Sequence, residues 1–475
     1  MLPVSPVASS AGPGRHGSNP YHLGVHRYTE DTDRLAQAVI DYACRRMRLD
    51  PVPLDGPKPL AELTELAGQT ITPEGLGGVA ALKLFDDVLS KACISVDHPR
   101  YLSFIPAAPT EAASLFDLVV GASSIYGGSW LEGAGAVYAE NQALRWLADL
   151  AGFPAGAGGV FVQGGTLGNL SALVAARHDA RKTRGGVRPE RWVVACSAEA
   201  HSSIAHAASV MDIDILSVPV DERGRLTGTA LEAALVAHDR EDVFAIVATG
   251  GTTNFGIVDD LAGVASVAAA RGIWFHVDGA YGVAALAAPS VRPIFAGIER
   301  ADSFIVDPHK WLFAPFDACA LIYRDPEKGR AAHTQSAGYL DVITSKVDEW
   351  NPSDYAYHLS RRARGLPFWF SLATHGTQAY TDAIEGTLLV ARAAADEIRA
   401  RPYVELLREP DLSVVVFRRI GWTSAQYYDW SERLMQAHYA FVTPSAHDGE
   451  TITRFAIVSP RTTVADISGI LDTMA

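Results

Sequence analysis

Val160-Phe161-Val162-Gln163-Gly164-Gly165-Thr166-Leu167-Gly168-Asn169 is the stretch on which the reading of this chain turns. Three apolar residues suit a short buried strand. The glycines end it and turn the chain into residues 170–181, an alanine-rich run of helical character. A glycine-rich turn that opens a helix presents backbone N–H groups and the positive end of the helix dipole, which suits a phosphate. Taken alone, the stretch is equally a plain strand-to-helix turn, since glycine serves tight turns with or without a ligand.

The same alternation extends to either side, from about residue 110 to 330. Further β-rich runs lie at 192–195, 243–248, 273–277, 303–306 and 318–323, with helical runs such as 264–270 between them. Apolar strands separated by helices predict a mainly parallel sheet covered on both faces. Upstream, residues 31–48 are amphipathic, with Leu35, Ala38, Val39 and Tyr42 on one face. Pro51, Pro53, Pro57 and Pro59 break that helix, and a second is predicted from after Thr72-Pro73 towards Ile94. Residues 98–106 read as extended. Downstream, residues 331–360 read as a long loop, a length that is uncommon unless it has a function. Helices over 368–399 and 424–438, with strands over 412–417 and 452–458, then predict a smaller α+β domain.

The 475 residues are 48% hydrophobic and 20% charged, which is enough apolar material for a large core and for two or three domains. The net charge of −14 argues against nucleic acid as a partner, because phosphate backbones attract basic surfaces. Cys44, Cys93, Cys196 and Cys319 form no CxxC pair and no zinc-type spacing. They are expected to be buried free thiols in a reducing, cytoplasmic setting, and no metal is expected. No apolar run approaches the ~18 residues of a membrane span, so no membrane partner is expected. The first 20 residues, with Pro3, Pro6 and Pro13, lack the pattern of a secretory signal and read as a loose tail.

Ligands of open α/β sheets bind beyond the carboxyl ends of the strands, so the residues after each strand carry the functional reading. After the second run stands His201, which alone is as well a surface or helix-capping residue. After the third comes Thr249-Gly250-Gly251-Thr252-Thr253, by itself a turn of small residues. Asp278 ends the fourth, and a carboxylate there needs a positive or N–H partner, or serves as an N-cap. After the fifth comes Asp307-Pro308-His309-Lys310-Trp311-Leu312, where a lysine stands beside large apolar residues. Such a lysine either has a purpose or snorkels to solvent.

Together these make one phosphate cradle, one imidazole, one carboxylate and one lysine on the same sheet edge. Pyridoxal 5'-phosphate calls for that set: a lysine for its aldehyde and a carboxylate to keep its pyridine nitrogen protonated. A partly desolvated lysine in a cationic site is expected to have a lowered pKa and to be the better nucleophile for it.

Asp307-Pro308-His309-Lys310-Trp311 resembles the cofactor-lysine motif of the group II pyridoxal-phosphate-dependent amino-acid decarboxylases, which include the aromatic L-amino-acid, tyrosine and glutamate decarboxylases. His276-Val277-Asp278-Gly279-Ala280-Tyr281, Ala200-His201-Ser202-Ser203 and Thr249 to Thr253 are similar to further segments of that family, in the same order. The resemblance runs from about His98 to the C-terminus. It implies the aspartate-aminotransferase-like fold (fold type I): a mainly parallel seven-stranded sheet flanked by helices, with a smaller C-terminal α+β domain. The segments would be a tail and helical dimerisation region (1–100), a large cofactor domain (101–330), a mobile catalytic loop (331–360) and a small domain (361–475).

Residue by residue, the resemblance implies that Lys310 carries the cofactor, Asp278 pairs with its ring nitrogen and His201 stacks on the ring. Gly165, Thr166 and His309 would hold the phosphate, Ala280 would pack on the other ring face, and Thr252 would touch the polar edge. Arg361 and Arg362 fall in a segment similar to the family's, in either a substrate or a structural role. A loop tyrosine returns a proton to Cα in the family. Here the loop is shorter, and Tyr339, Tyr355 and Tyr357 are the candidates. The segments around 98–106 and 121–140 resemble those that form the substrate pocket. Phe104, Tyr126 and Trp130 would surround an aromatic or other apolar side chain, or simply pack in a core or dimer contact. A homodimer with its active site between subunits is implied. The expected reaction is decarboxylation of an L-amino acid to the amine and CO2, the alternative being aldehyde synthesis or transamination on the same scaffold.

Overall fold

The computed structural model describes residues 24–106, 108–335, 349–447 and 449–475. The first 20 residues, read above as a tail, and Tyr339 lie outside them. Among the described residues the chain divides into two compact units, residues 24–49 with 57–93 and residues 50–56 with 94–475.

The first unit is helical. Helix α1 (Glu30–Met47) carries Glu30, Asp31 and Asp33 in its first turn and Arg45 and Arg46 in its last, the arrangement that suits the helix dipole. Leu35 on its apolar face packs where Gly78 leaves room, and Tyr42 meets Phe85 edge-on at 6.0 Å. Helix α2 (Leu60–Ala67) begins directly after Pro59, where the prolines predicted only a break. A proline just ahead of a first turn costs the helix no internal hydrogen bond. Helix α3 (Gly78–Leu84) runs on through a wider turn, Phe85–Leu89, and a tighter one, Ser90–Ala92.

The second unit opens with α4 (Glu111–Ala122) and α5 (Trp130–Leu150). Residues 98–106 ahead of them form only an isolated bridge, Tyr101 to Phe441, and not a strand. Seven strands follow: β1 (Gly158–Val162), β2 (Val193–Ser197), β3 (Asp214–Val218), β4 (Val243–Thr249), β5 (Trp274–Asp278), β6 (Ser303–Val306) and β7 (Cys319–Tyr323). They are ordered β1-β7-β6-β5-β4-β2-β3, and only β7 runs antiparallel to its neighbours. Helices α6 (Gly165–Thr183), α7 (Ser202–Met211), α8 (Gly228–His238), α9 (Leu261–Arg271) and α10 (Pro326–His333) join or follow them.

Side chains alternate across a strand, so each strand feeds two cores. Phe275, Val277, Phe304 and Val306 enter one core; Trp274, Ile305, Leu321 and Tyr323 enter the other, together with Ala172, Leu173 and Ile204 of α6 and α7. His276 and Asp278 share the face of Trp274 and therefore look towards α6 and α7.

A second, antiparallel sheet has the order β10-β11-β9-β8, from Val404–Leu406 (β8), Val414–Arg419 (β9), Pro444–His447 (β10) and Glu450–Ala456 (β11). The single helix predicted over 368–399 is two, Leu366–His375 and Thr377–Arg399, because Gly376 adopts a φ of 77° between them. Cys196 and Cys319 are buried thiols, whereas Cys93 is exposed, contrary to expectation. Among the described residues no helix is long and apolar enough to cross a membrane.

Candidate active site

The carboxyl ends of β1, β2, β4, β5 and β6 surround a cavity of about 280 Å³. Its wall includes Gly164, Gly165, Thr166, His201, Thr252, Asp278, Ala280, His309 and Lys310, every residue that the sequence assigns to the cofactor. Asn169, Ser203, Asp307 and Asp317 line it as well.

The β1–α6 turn is shaped by close approach. Gly164 sits at φ 91°, in the region that favours glycine. A Cβ on Gly165 would lie 3.2 Å from both the Ala280 Cβ and the Ile305 Cδ1. Among the described residues no side chain caps α6, and Gly164, Gly165 and Thr166 at its start line the cavity, which places the positive end of a 19-residue helix there. That is a cradle for an anion with no bulk in it.

Asp278 is buried at the end of β5. Its Oδ2 accepts from Asn169 Nδ2 at 2.9 Å and its Oδ1 from the Ala280 N–H at 3.2 Å. His201 is the N-cap of α7: its Nδ1 accepts the Ser203 N–H at 3.2 Å, which leaves the ring along the cavity. The capping and cavity-lining readings of His201 therefore hold together. Thr252 is tied into its turn, where Oγ1 accepts the Ile257 N–H at 3.1 Å.

Lys310 follows from the turn that ends β6, where its N–H donates to the Asp307 carbonyl at 2.9 Å. Its ammonium donates to Asp307 Oδ2, also at 2.9 Å. Burial opposes the ammonium, but the charge and acceptor oxygen of Asp307 outweigh it, and the Lys310 pKa is raised. The lowered pKa expected from the sequence is thus corrected. Trp311, Leu312 and Phe313 point into the core rather than around the amine, and Trp311 stacks on Tyr281 at 5.2 Å. Asp307 itself is buried, and its Oδ1 has no partner among the described residues. His309 donates through Nδ1 to the Ala318 carbonyl at 2.7 Å, and burial lowers its pKa, so the ring is neutral.

The remaining candidates lie elsewhere. Phe104 is 60% exposed, at a positive φ of 53°. Tyr126 donates to the Leu359 carbonyl at 2.9 Å, and Trp130 starts α5 with its N–H on Asn351 Oδ1 at 2.9 Å. None of the three is on the cavity wall. Tyr355 is buried in the core behind α6, stacked on Trp350 at 4.1 Å, and Tyr357 is exposed. Arg361 forms a buried two-pronged pair with Glu140 at 2.8 and 2.9 Å, and Arg362 pairs with Asp117 at 2.7 Å, which gives both a structural place.

Asn169, Ser203, His276 and Asp307 belong to the site or its support, and sequence reasoning assigns none of them a role. The signal was there for His276, two residues from Asp278 on one strand and therefore on the same face. For Asn169 it appears only when α6 is laid over β5.

The cavity thus offers a vacant-sided anion cradle, an amine, a carboxylate backed by neutral donors and an imidazole, which is the donor set that pyridoxal phosphate requires. Comparison with known proteins points the same way. The family model "Pyridoxal-dependent decarboxylase conserved domain" matches residues 80–420. The chain is 30% identical to an aromatic-L-amino-acid decarboxylase of Bacillus atrophaeus, over 79% of this chain and 80% of that one. It is also 30% identical to an L-2,4-diaminobutyrate decarboxylase of Rhizobium meliloti, over 84% and 81%. In fold it is similar to Oryza sativa TDC, solved with PLP and tryptamine, at TM-score 0.86, 24% identity and coverage of 94% and 98%. Sequence, cavity and fold agree, and the chain belongs to the pyridoxal-dependent decarboxylases, as a pyridoxal-phosphate-dependent enzyme that decarboxylates an amino acid.

Proposed function

We propose that the substrate is an aromatic or other apolar L-amino acid and that Lys310 is the residue to which the cofactor attaches. The observation that carries this reading is the placement of Lys310 Nζ on a cavity wall shared with the uncapped turn of α6, Asp278 and His201. Bound there, pyridoxal phosphate supplies an electron sink for the bond to the departing carboxylate. The chain's own part is to hold and to move protons. Gly165 and Thr166 would take the phosphate on backbone N–H groups, with His309 beside them. Asp278 would keep a proton on the ring nitrogen, a fixed charge placed where negative charge develops. His201 would cover one ring face and Ala280 the other, with Thr252 at the polar edge. Lys310 must first lose to solvent the extra proton that its pairing with Asp307 Oδ2 retains.

The substrate class rests on the resemblance of this chain to an aromatic decarboxylase and on three aromatic residues, Phe104, Tyr126 and Trp130, outside the single-chain cavity. An exposed Phe104 suits a homodimer in which a second subunit covers it and shares its pocket. Residues 331–333 of the expected loop 331–360 end α10 instead, and the segment after His333 would bring an acid to Cα, with Tyr339 and Tyr357 as its candidates ahead of the packed Tyr355. Four cysteines without a disulfide suit a cytoplasmic setting.

The test is a panel of L-amino acids, aromatic, acidic and 2,4-diamino, with CO2 and products identified. Amines from the aromatic members support the proposal. Turnover of diaminobutyrate alone overturns the substrate class. Aldehyde, ammonia and hydrogen peroxide formed in air indicate the alternative chemistry.

A further inference from the structure

Asn169 lies at the junction of two hydrogen-bond chains that no cofactor contact requires. Trp274, His276 and Asp278 alternate along one face of β5, and Ser303 of β6 stands opposite His276 in register. Trp274 Nε1 donates to Ser303 Oγ at 2.9 Å, Ser303 Oγ meets His276 Nδ1 at 2.8 Å, and His276 Nε2 meets Asn169 Oδ1 at 2.9 Å. Asn169 Nδ2 reaches Asp278 Oδ2 and Ser203 Oγ, both at 2.9 Å, and Ser203 Oγ meets His201 Nδ1 at 2.9 Å. Asn169, Ser203, Trp274, His276, Asp278 and Ser303 are all buried.

The carboxylate end of this array fixes its direction, because a carboxylate can only accept. Asp278 takes the amide N–H side of Asn169, which turns Oδ1 to His276, so His276 Nε2 carries a proton and donates it. Burial holds His276 neutral, with its pKa pushed down to about 4, so Nδ1 accepts from the Ser303 hydroxyl, which in turn accepts from Trp274 Nε1. The second amide N–H goes to Ser203, whose hydroxyl proton then goes to His201 Nδ1.

The geometry points to Asn169 as a positioning residue that holds the Asp278 carboxylate directly and the His201 ring through Ser203, with His276, Ser303 and Trp274 supporting the oxygen side of its amide. This rests on the reading that Asp278 and His201 hold the cofactor ring. One amide orients both the charge beneath the ring nitrogen and the imidazole over the ring face. The array supplies Asp278 with neutral donors only, so its negative charge is left for the ring nitrogen. The titratable groups that feel that charge are His276, Lys310 and Cys319.

The experiment uses full-length apoprotein reloaded with pyridoxal phosphate. It compares wild type, Asn169→Asp, Ser303→Ala and Asp278→Ala for cofactor affinity and for the pH profile of the bound cofactor's visible band. Asn169→Asp keeps shape and the acceptor for His276 but sets a carboxylate against Asp278. Loss of a donor to a charged group corresponds to a 10- to 100-fold weaker affinity, roughly, and the pH profile should move with it. Ser303→Ala should move both in the same direction by a few-fold, and it decides the matter if Asn169→Asp does not fold. If both variants match wild type in affinity and profile while Asp278→Ala binds weakly, the positioning role is overturned and the cofactor reading stands. If Asp278→Ala also matches wild type, the cofactor reading itself fails.

Discussion

Asp307→Asn should make Lys310 more reactive, although it removes the partner of the residue on which the enzyme depends. The ammonium donates to Asp307 Oδ2 at 2.9 Å, and at an effective dielectric constant of about 20 the Coulomb term at that distance is about 6 kcal/mol. Burial of both groups offsets much of this. A hydrogen bond to a charged partner is worth about 1.5–3 kcal/mol net, which corresponds to a population factor of about 10–100. Only the neutral amine attacks an aldehyde, so its population at neutral pH should rise by that factor in the variant. The assay is the rate at which apoprotein traps pyridoxal after borohydride reduction, at several pH values. Pyridoxal lacks the phosphate, so relief of charge repulsion in the cradle does not enter. A faster rate at pH 7, converging with wild type at high pH, is expected. An unchanged or slower rate at pH 7 would refute the account of Asp307 as the group that holds Lys310 charged.

Glu140→Ala should destabilise the fold by about 3–5 kcal/mol in urea unfolding, since it leaves Arg361 buried without its counter-charge; a Glu140→Leu, Arg361→Met pair should recover most of the loss, and a single-variant cost below 1 kcal/mol would count against a structural Arg361. Burial pushes the pKa of both His276 and His333 down to about 4, from about 6.5 unfolded. The unfolded chain therefore binds more protons between those values, so this stability is complete above pH 6.5 and is lost as pH falls towards 4, by up to about 3 kcal/mol per group. A urea midpoint that stays flat from pH 7 to 5 would contradict it. Tyr355→Phe should still yield amine as the main product, because the ring is stacked on Trp350 and not on the cavity wall; a switch to aldehyde would show that the loop rearranges to deliver Tyr355.

Strands β1, β2, β4, β5, β6 and β7 were legible because each is a short apolar run bounded by glycine or polar residues and buried on both faces. Strand β3 was not. Asp214-Ile215-Leu216-Ser217-Val218 lies at the sheet edge with most of its residues open to solvent, so its hydrophobic signal is diluted by Asp and Ser. The site's contacting residues were legible one strand end at a time, since a parallel sheet gathers those ends at one edge. The residues that position them were not, because Asn169 acquires its role from a helix and two strands far apart in sequence. The raised pKa of Lys310 is not legible in the sequence for a related reason. Composition beside a residue in sequence is not its surroundings, and the nearest charge came from the turn, three residues back at Asp307.

The two buried acids of the cavity are provided for in opposite ways. Asp307 has a cation, Lys310, and an oxygen left without a donor. Asp278 has donors for both oxygens and, among the described residues, no ion pair. A ligand that consumes the charge of Lys310 and brings a cationic ring nitrogen moves the positive charge from one acid to the other. Binding therefore breaks one favourable pair while making another, and its strength is the difference between them. It follows that neutralising the two acids should act with opposite signs: removing Asp307's charge favours the loaded enzyme by weakening the competitor, and removing Asp278's disfavours it by weakening the product. If both substitutions lowered cofactor affinity alike, Asp307 would have to be a direct ligand, and the transfer of charge between the acids would not be what tunes binding.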